Sequence, residues 1–234
     1  MPYKPALLKI SDLHKTFTLG SEKTVILQCA TYTFKQNCSY SLIGVSGSGK
    51  STLLHLLAGI EKPDSGSILF NDQDLSHFSS SEKSLFLQKN IGLIFQTPCL
   101  INELSVIENT MIKGLILGKK YSLTLEKSLF LLEKVGMAHK KDSFPATLSG
   151  GEQQRVAIAR ALFSEPAFII ADEPTAHLDK NAKQMIIELL LLCQQQWSTG
   201  LIIASHDDSV ADAMKISLTL EKGLLHERKI TDGS

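Results

Sequence analysis

A glycine-rich stretch, GVSGSGKST, runs from Gly44 to Thr52 and fits the pattern G-x-x-x-x-G-K-[ST]. Its glycines let backbone N–H groups approach phosphate oxygens closely, and a helical pattern follows that adds a positive N-terminal end. We therefore predict a nucleotide phosphate site, with Lys50 reaching the β- and γ-phosphates and Ser51 ligating Mg²⁺. The residues expected to contact the nucleotide here are Gly44, Ser46, Gly47, Ser48, Gly49, Lys50, Ser51 and Thr52.

Two adjacent carboxylates, Asp172 and Glu173, follow the apolar run FIIA. An aspartate at a strand end can hold Mg²⁺ on the side opposite Ser51. Glu173 points in another direction and is predicted to be the general base that polarises an attacking water.

Two other apolar runs, NIGLIF and LIIAS, end at Gln96 and His206. Gln96 is predicted to contact Mg²⁺ or the water, and His206 to donate to the γ-phosphate.

A second candidate anion site is LSGGEQQR, which runs from Leu148 to Arg155. Ser149 and Glu152 have the spacing of a capping box, but this leaves Gly150 and Gly151 unexplained, since each glycine costs a helix about 0.5–1 kcal/mol relative to alanine. With neither a lysine nor a metal ligand, this loop looks like half of a site. A two-fold dimer would complete it, with each phosphate loop facing the Ser149–Gly151 loop of the other chain.

The elements that position these residues alternate between strand and helix. Short apolar runs (YSLIG, NIGLIF, AFIIA, LIIAS) alternate with helical patterns over 51–59, 152–163 and 180–196, which predicts a parallel sheet with helices on both faces. Such sheets bind ligands at the carboxyl ends of their strands. Residues 1–38 instead show the alternation of antiparallel strands, and residues 97–160 look mostly helical.

Composition narrows the possible functions. Lys and Arg together number 24, as do Asp and Glu, so the formal net charge is zero and gives no sign of a nucleic-acid-binding surface. The four cysteines form no CxxC pair, which disfavours a zinc site or a disulfide scaffold. No signal peptide and no membrane-spanning stretch is apparent in the sequence, so we expect a soluble protein whose membrane role, if any, is exerted through a partner.

Together these motifs closely resemble those of the nucleotide-binding subunit of ATP-binding cassette (ABC) transporters, over residues 7–225. GVSGSGKST is similar to Walker A, Gln96 to the Q-loop, LSGGEQQR to the signature, FIIADE to Walker B, AHLD to the D-loop and His206 to the switch histidine. The resemblance implies an α/β fold: a P-loop NTPase core with a mainly parallel sheet, an N-terminal antiparallel β subdomain and an inserted helical subdomain. In one domain over 1–234, we expect β subdomain and core in 1–96 and 161–234, and the helical subdomain in 97–160.

The resemblance also implies function. It implies an ATPase that uses ATP and Mg²⁺, with ATP sandwiched head to tail in a homodimer or paired cassette. Further implied partners are integral membrane transporter subunits at the cytoplasmic face of the inner membrane, and no nucleic acid. Asp179 of the D-loop is implied to contact nucleotide. Phe17 is implied to stack on adenine, although it could equally be a core aromatic of its strand.

Several stretches, such as SGSGKSTLLHLLAGIEKPDSG and KNIGLIFQ, resemble the lipoprotein-releasing, macrolide-exporting and cell-division cassettes. A lone cassette without a fused membrane domain favours the lipoprotein-releasing type, with the other two as alternatives. A soluble non-transport ABC protein and another P-loop enzyme such as a kinase are less favoured. Ala176 and His177 in the D-loop, KQNCSYSLIG and IENTMIKGLIL depart from the subfamily pattern and leave the cargo open.

A membrane subunit needs a docking surface on this chain. The segment after Gln96, TPCLINELSVIENTMIKGLIL, is apolar enough to provide one, and we predict a groove around 100–104 for a short helix of that subunit. The alternative is that Leu100 and Leu104 belong to the ordinary core of the helical lobe.

Overall fold

Two sheets organise the computed structural model, which describes residues 4–19 and 22–228. The first is antiparallel, and its strands lie in the order β2 (Glu22–Lys35), β1 (Leu7–Leu19), β4 (Ser65–Phe70) and β5 (Gln73–Asp74). In the second the order is β10 (Leu224–Glu227), β9 (Ile216–Glu221), β3 (Ser39–Ile43), β8 (Gly200–Ser205), β7 (Phe168–Asp172) and β6 (Ile91–Ile94). All neighbours in the second sheet are parallel except β9 and β10.

Helices connect and cover these strands. They are α1 (Lys50–Leu57), α2 (Ser80–Asn90), α3 (Val106–Ile116), α4 (Tyr121–Lys134), α5 (Gly150–Leu162), α6 (Lys180–Gln196) and α7 (Asp208–Ala213). Short 3₁₀ turns cover Leu75–His77, Ala138–Lys140 and Pro145–Thr147. None of the described helices combines the length and apolar character needed to cross a membrane.

The central strands are buried on both faces, which is why their sequences are continuous apolar runs. On β7, Phe168 and Ile170 join the core formed with α1 and the antiparallel sheet. Ile169 and Ala171 point to the other side and join the core formed with α3 to α6. Strand side chains alternate with a period of two, so one strand anchors two separate cores. The same alternation holds on β8.

The predicted α/β fold is confirmed, with differences in detail. The antiparallel strands expected in residues 1–38 are β1 and β2, although residues 1–3 and 20–21 lie outside the described part. Four strands were not predicted from the sequence: β4, which pairs with β1, β5, which pairs with β4, and the pair β9 and β10. All four are short, and β4 and β9 join their sheets through β1 and β3, which lie far away in the chain. Helix α6 has the predicted bounds, while α1 and α5 each begin and end one or two residues earlier than predicted.

Within residues 97–160, α3, α4 and α5 pack against one another. Residues 97–105 form no helix before α3 begins. Ser105 is the N-cap of α3 and forms a capping box with Glu108, so the helix start is fixed locally. The boundary that we predicted between a helical subdomain and the rest of the chain stays a prediction.

Candidate functional site

The phosphate loop connects β3 to α1, and its shape requires glycine. Gly49 is the N-cap of α1 in a left-handed conformation, with φ of 101°. A Cβ there would lie 2.5 Å from the Ile26 side chain. Among the described residues no side chain caps α1, and its first turn holds no acidic residue. The N–H groups at this helix N-terminus are therefore available to an anion.

Lys50 lies inside this loop and is almost fully buried, with 7% of its surface exposed. Its Nζ donates to the carbonyl oxygens of Gly44 at 2.7 Å and Val45 at 3.2 Å. The same nitrogen lies 4.0 Å from Glu173 Oε1. The ammonium is thus held within the loop, where it would contact a phosphate chain that the loop surrounds.

Glu173 is positioned by a strained turn directly after β7. Its φ is 46°, a left-handed value that is uncommon for a residue other than glycine. Its backbone N–H donates to Ala204 O at 2.9 Å, which ties the turn to β8. His206 Nδ1 contacts both carboxylate oxygens, at 2.9 and 3.0 Å. The strain and these contacts direct the carboxylate toward the phosphate loop, as expected of strain stored at functional sites.

Asp172 ends β7 one residue earlier. Its Oδ1 is buried and finds no hydrogen-bond donor among the residues that the structure describes. An orphaned buried carboxylate oxygen is costly unless something else binds it. With the Ser51 hydroxyl and the Gln96 amide, it makes a set of hard oxygen donors that suits Mg²⁺. The described residues hold no cluster of three or more His, Cys, Asp or Glu suited to a metal, so any ion here would also need ligands from the nucleotide.

Except for Asp172, these side chains line one cavity of about 360 Å³ at the carboxyl edge of the parallel sheet. It is lined by Ile26, Ser46, Gly47, Gly49, Lys50, Ser51, Thr52, Gln96, Glu173, Ala176 and His206. A second cavity, of about 480 Å³, is lined in part by Gly44 and Ser48 and shares Ile26, Ser46 and Gly47 with the first. The structure therefore brings together most of the residues predicted from the sequence. Asp172 does not line either cavity directly.

The loop that begins α5 lies apart from both cavities. Ser149 caps the helix and forms the expected box with Glu152, whose carboxylate also meets Lys140 Nζ at 2.6 Å. Lys140, followed by the Ser149 amide, lowers the pKa of Glu152 to about 2, so this carboxylate is charged at neutral pH. The box uses the N–H groups of Ser149 and Glu152. Those of Gly150 and Gly151, in the first turn, have no intrahelical partner.

Two predicted contact residues have other surroundings. Asp179 is the N-cap of α6, and its side chain accepts from the N–H groups of Asn181 and Ala182 at 3.0 Å. Phe17 has 42% of its surface exposed, and Lys15 Nζ lies 5.2 Å from its ring centroid. The interpretation of Phe17 as a core aromatic is therefore wrong, and stacking on adenine stays a prediction.

Two residues near the site were not predicted to belong to it. Ile26 lines both cavities, and its side chain leaves no room for a Cβ at position 49. His177, which the sequence analysis noted only as a departure from the subfamily pattern, contacts the Gln96 amide nitrogen with its Nε2 at 3.0 Å. That departure was the available signal, but sequence alone did not show which residue His177 faces.

The fold and the site define a P-loop nucleotide hydrolase. A family model described as ABC transporter matches residues 27–176. The chain belongs to the ABC transporter family and is an ATPase cassette of that family.

Among curated relatives, the chain is 36% identical to the lipoprotein-releasing system ATP-binding protein LolD of Idiomarina loihiensis, over 96% of this chain and 98% of the relative. It is 40% identical to LolD of Buchnera aphidicola subsp. Schizaphis graminum, over 95% and 97%. Among solved structures, it is similar to the dimeric ATP-binding cassette MJ0796 in a post-hydrolysis state bound to ADP and Pi. That likeness has a TM-score of 0.87 at 29% identity, over 97% of this chain and 100% of the other.

The position of Glu173 generates a prediction. In Glu173→Gln the side chain keeps its shape but cannot take a proton from water, so ATP turnover should fall by roughly 10²- to 10⁴-fold. Nucleotide binding should persist because Lys50 and the loop are unchanged, and the variant should accumulate as an ATP-bound dimer. Steady-state hydrolysis and size-exclusion chromatography with ATP would measure both effects. The exposed Glu165, exchanged in the same way, is the control; turnover of Glu173→Gln equal to that of the control would contradict the assignment.

Proposed function

We propose that this chain is the ATP-hydrolysing subunit of a transporter that releases lipoproteins from the inner membrane, where it is bound peripherally at the cytoplasmic face. The observation that supports this most is that relatives named for lipoprotein release match 94–97% of the chain rather than the shared motifs alone. In this proposal the chain drives separate integral membrane subunits through ATP-dependent dimerisation.

Each nucleotide site is proposed to be shared between two chains. The N–H groups of Gly150 and Gly151 form an exposed half-site that lies outside the phosphate cavity of their own chain. A partner arranged head to tail would place this half-site over the γ-phosphate bound to Lys50. The similar cassette MJ0796 is dimeric, which supports a site built from two chains. A helix N-terminus favours an anion but binds it weakly alone, so dimerisation would depend on ATP.

The proposed chemistry follows from the contacts of the cavity. Asp172, Ser51 and Gln96 would hold Mg²⁺, which neutralises phosphate charge when bound. Lys50 binds the β- and γ-phosphates. Glu173 takes the proton of the attacking water, and His206, now against Glu173, donates to the γ-phosphate. Phe17 stacks on adenine at the exposed face of β1.

We also propose that the chain divides into two parts: the β subdomain with the core, and a helical subdomain over 97–160.

The structure offers a docking surface other than the groove around 100–104 that was predicted from the sequence. A largely apolar groove of about 370 Å³ lies between α2, β6, α3 and α5. Its walls are Leu87, Gln88, Ile91, Leu93, Phe95, Cys99, Ile112, Lys113, Ile116, Arg160 and Ala161. No residue of 100–104 lines this groove, and Leu100 packs against the core formed with α3 to α6. We propose this groove as the seat of a short helix from the membrane subunit.

The cargo assignment can be tested in the host cell. Replacing the chain with Glu173→Gln should leave acylated lipoproteins in the inner membrane, since release would lack its energy source. Membrane fractionation followed by detection of lipoproteins would measure this. Normal lipoprotein distribution, with the variant assembled and inactive as an ATPase, would rule out this cargo while leaving the ATPase assignment unchanged.

The shared site predicts complementation between two inactive variants. Lys50→Ala should lose ATP binding in its own loop, and Ser149→Arg should block the surface that covers the partner's nucleotide. A mixture contains heterodimers with one intact site, formed by Lys50 of one chain and Ser149 of the other. ATP-dependent dimers should therefore appear only in the mixture when measured by light scattering. ATP-dependent dimers of Ser149→Arg alone would show that the site is not shared.

The groove predicts that assembly and hydrolysis can be separated. Ile116 has 63% of its surface exposed at the groove, so Ile116→Glu should fold and retain basal ATP hydrolysis. Its co-purification with the membrane subunits should fall because the charge would be desolvated on docking. Leu192, on α6 outside the groove, is 62% exposed and provides the matched control as Leu192→Glu. Equal assembly of both variants would place the docking surface elsewhere.

A further inference from the structure

Gln96 and His177 make a contact that the proposed chemistry does not use. Gln96 lies in the wall of the phosphate cavity, two residues after β6 ends. His177 lies 81 residues further along, in the turn between β7 and α6. Gln96 Nε2 and His177 Nε2 are 3.0 Å apart, which is a normal hydrogen-bond distance. The turn that follows Glu173 is thereby joined to the residue proposed to reach the metal.

The chemistry of the two groups fixes the direction of this bond. An amide nitrogen can only donate, so the ring nitrogen must accept, and the neutral imidazole carries its proton on Nδ1. Donation by Gln96 Nε2 to His177 Nε2 sets the rotation of the Gln96 amide about its terminal torsion. That torsion is otherwise broad and nearly two-fold. The hydrogen bond to His177 therefore does not use Gln96 Oε1. This matters because Mg²⁺ takes oxygen ligands and an amide NH₂ offers none.

We infer that His177 is a positioning residue, which selects the end of the Gln96 amide that is free to ligate a cation in the phosphate cavity. The inference rests on the role proposed above for Gln96. Without the acceptor at position 177 the amide can turn over and present its NH₂ group. The net strength of one such hydrogen bond predicts a loss of about 2- to 12-fold in cation affinity.

Three variants test this inference. His177→Ala removes the acceptor. His177→Gln restores an acceptor oxygen, at about the distance from the backbone at which His177 Nε2 lies. His139→Ala is the control, since His139 is an exposed histidine of the helical lobe. Mn²⁺ is the probe, with binding measured by electron paramagnetic resonance in the presence of ATP and in the Glu173→Gln background, where hydrolysis is blocked. We expect weaker Mn²⁺ binding for His177→Ala, recovery for His177→Gln and no change for the control.

A second measurement needs neither metal nor nucleotide. The side-chain N–H signals of Gln96 in ¹⁵N spectra of the nucleotide-free protein should shift in His177→Ala and stay unchanged in the control. In a Gln96→Ala background, exchanging His177 should have no further effect on Mn²⁺ binding. Unchanged Mn²⁺ affinity in His177→Ala, or failure of His177→Gln to restore it, would overturn the inference. If the parent protein binds no Mn²⁺ with ATP, the proposed function fails, and the amide signals still decide whether His177 orients Gln96.

Discussion

The site depends on four neighbouring parallel strands that all end at one edge of a sheet. Of these strands, β7 and β8 carry runs of apolar residues that are buried on both faces. A shift of one residue along β7 would exchange Ile169 and Ile170 between two different cores. The register is therefore fixed from both sides, and so is the position at which each strand stops. Gly44, Gln96, Asp172 and His206 follow or form those ends, which is why residues far apart in the chain meet.

Charge inside the site is compensated through contacts among a few groups. Lys50 is nearly inaccessible, and a buried ammonium without partners would be strongly unfavourable. Two loop carbonyls accept from it, and the Glu173 carboxylate lies 4.0 Å away. Glu173 is in turn held by His206 and keeps a left-handed backbone. A phosphate entering the loop would join this network at Lys50.

The two helix N-termini of the motifs differ in how much of their hydrogen-bonding capacity is already used. Gly49 leaves the start of α1 uncapped by any described side chain, so the whole first turn is open to phosphate. At α5, Ser149 and Glu152 satisfy each other, and only the two glycine N–H groups remain. The start of α1 therefore has more free N–H groups to offer an anion than the start of α5 has.

The sequence by itself determined the phosphate loop, the carboxylate pair, the strand ends and the α/β class, because each is encoded by adjacent residues or by local periodicity. Only the tertiary structure decided that β4 joins β1, that Phe17 is exposed, and that Gln96 meets His177. It also showed an apolar groove between α2, β6, α3 and α5. These features depend on which distant segments pack together and on where side chains point. Periodicity shows that a face is apolar, but not which segment covers it, and that is settled only when the elements pack.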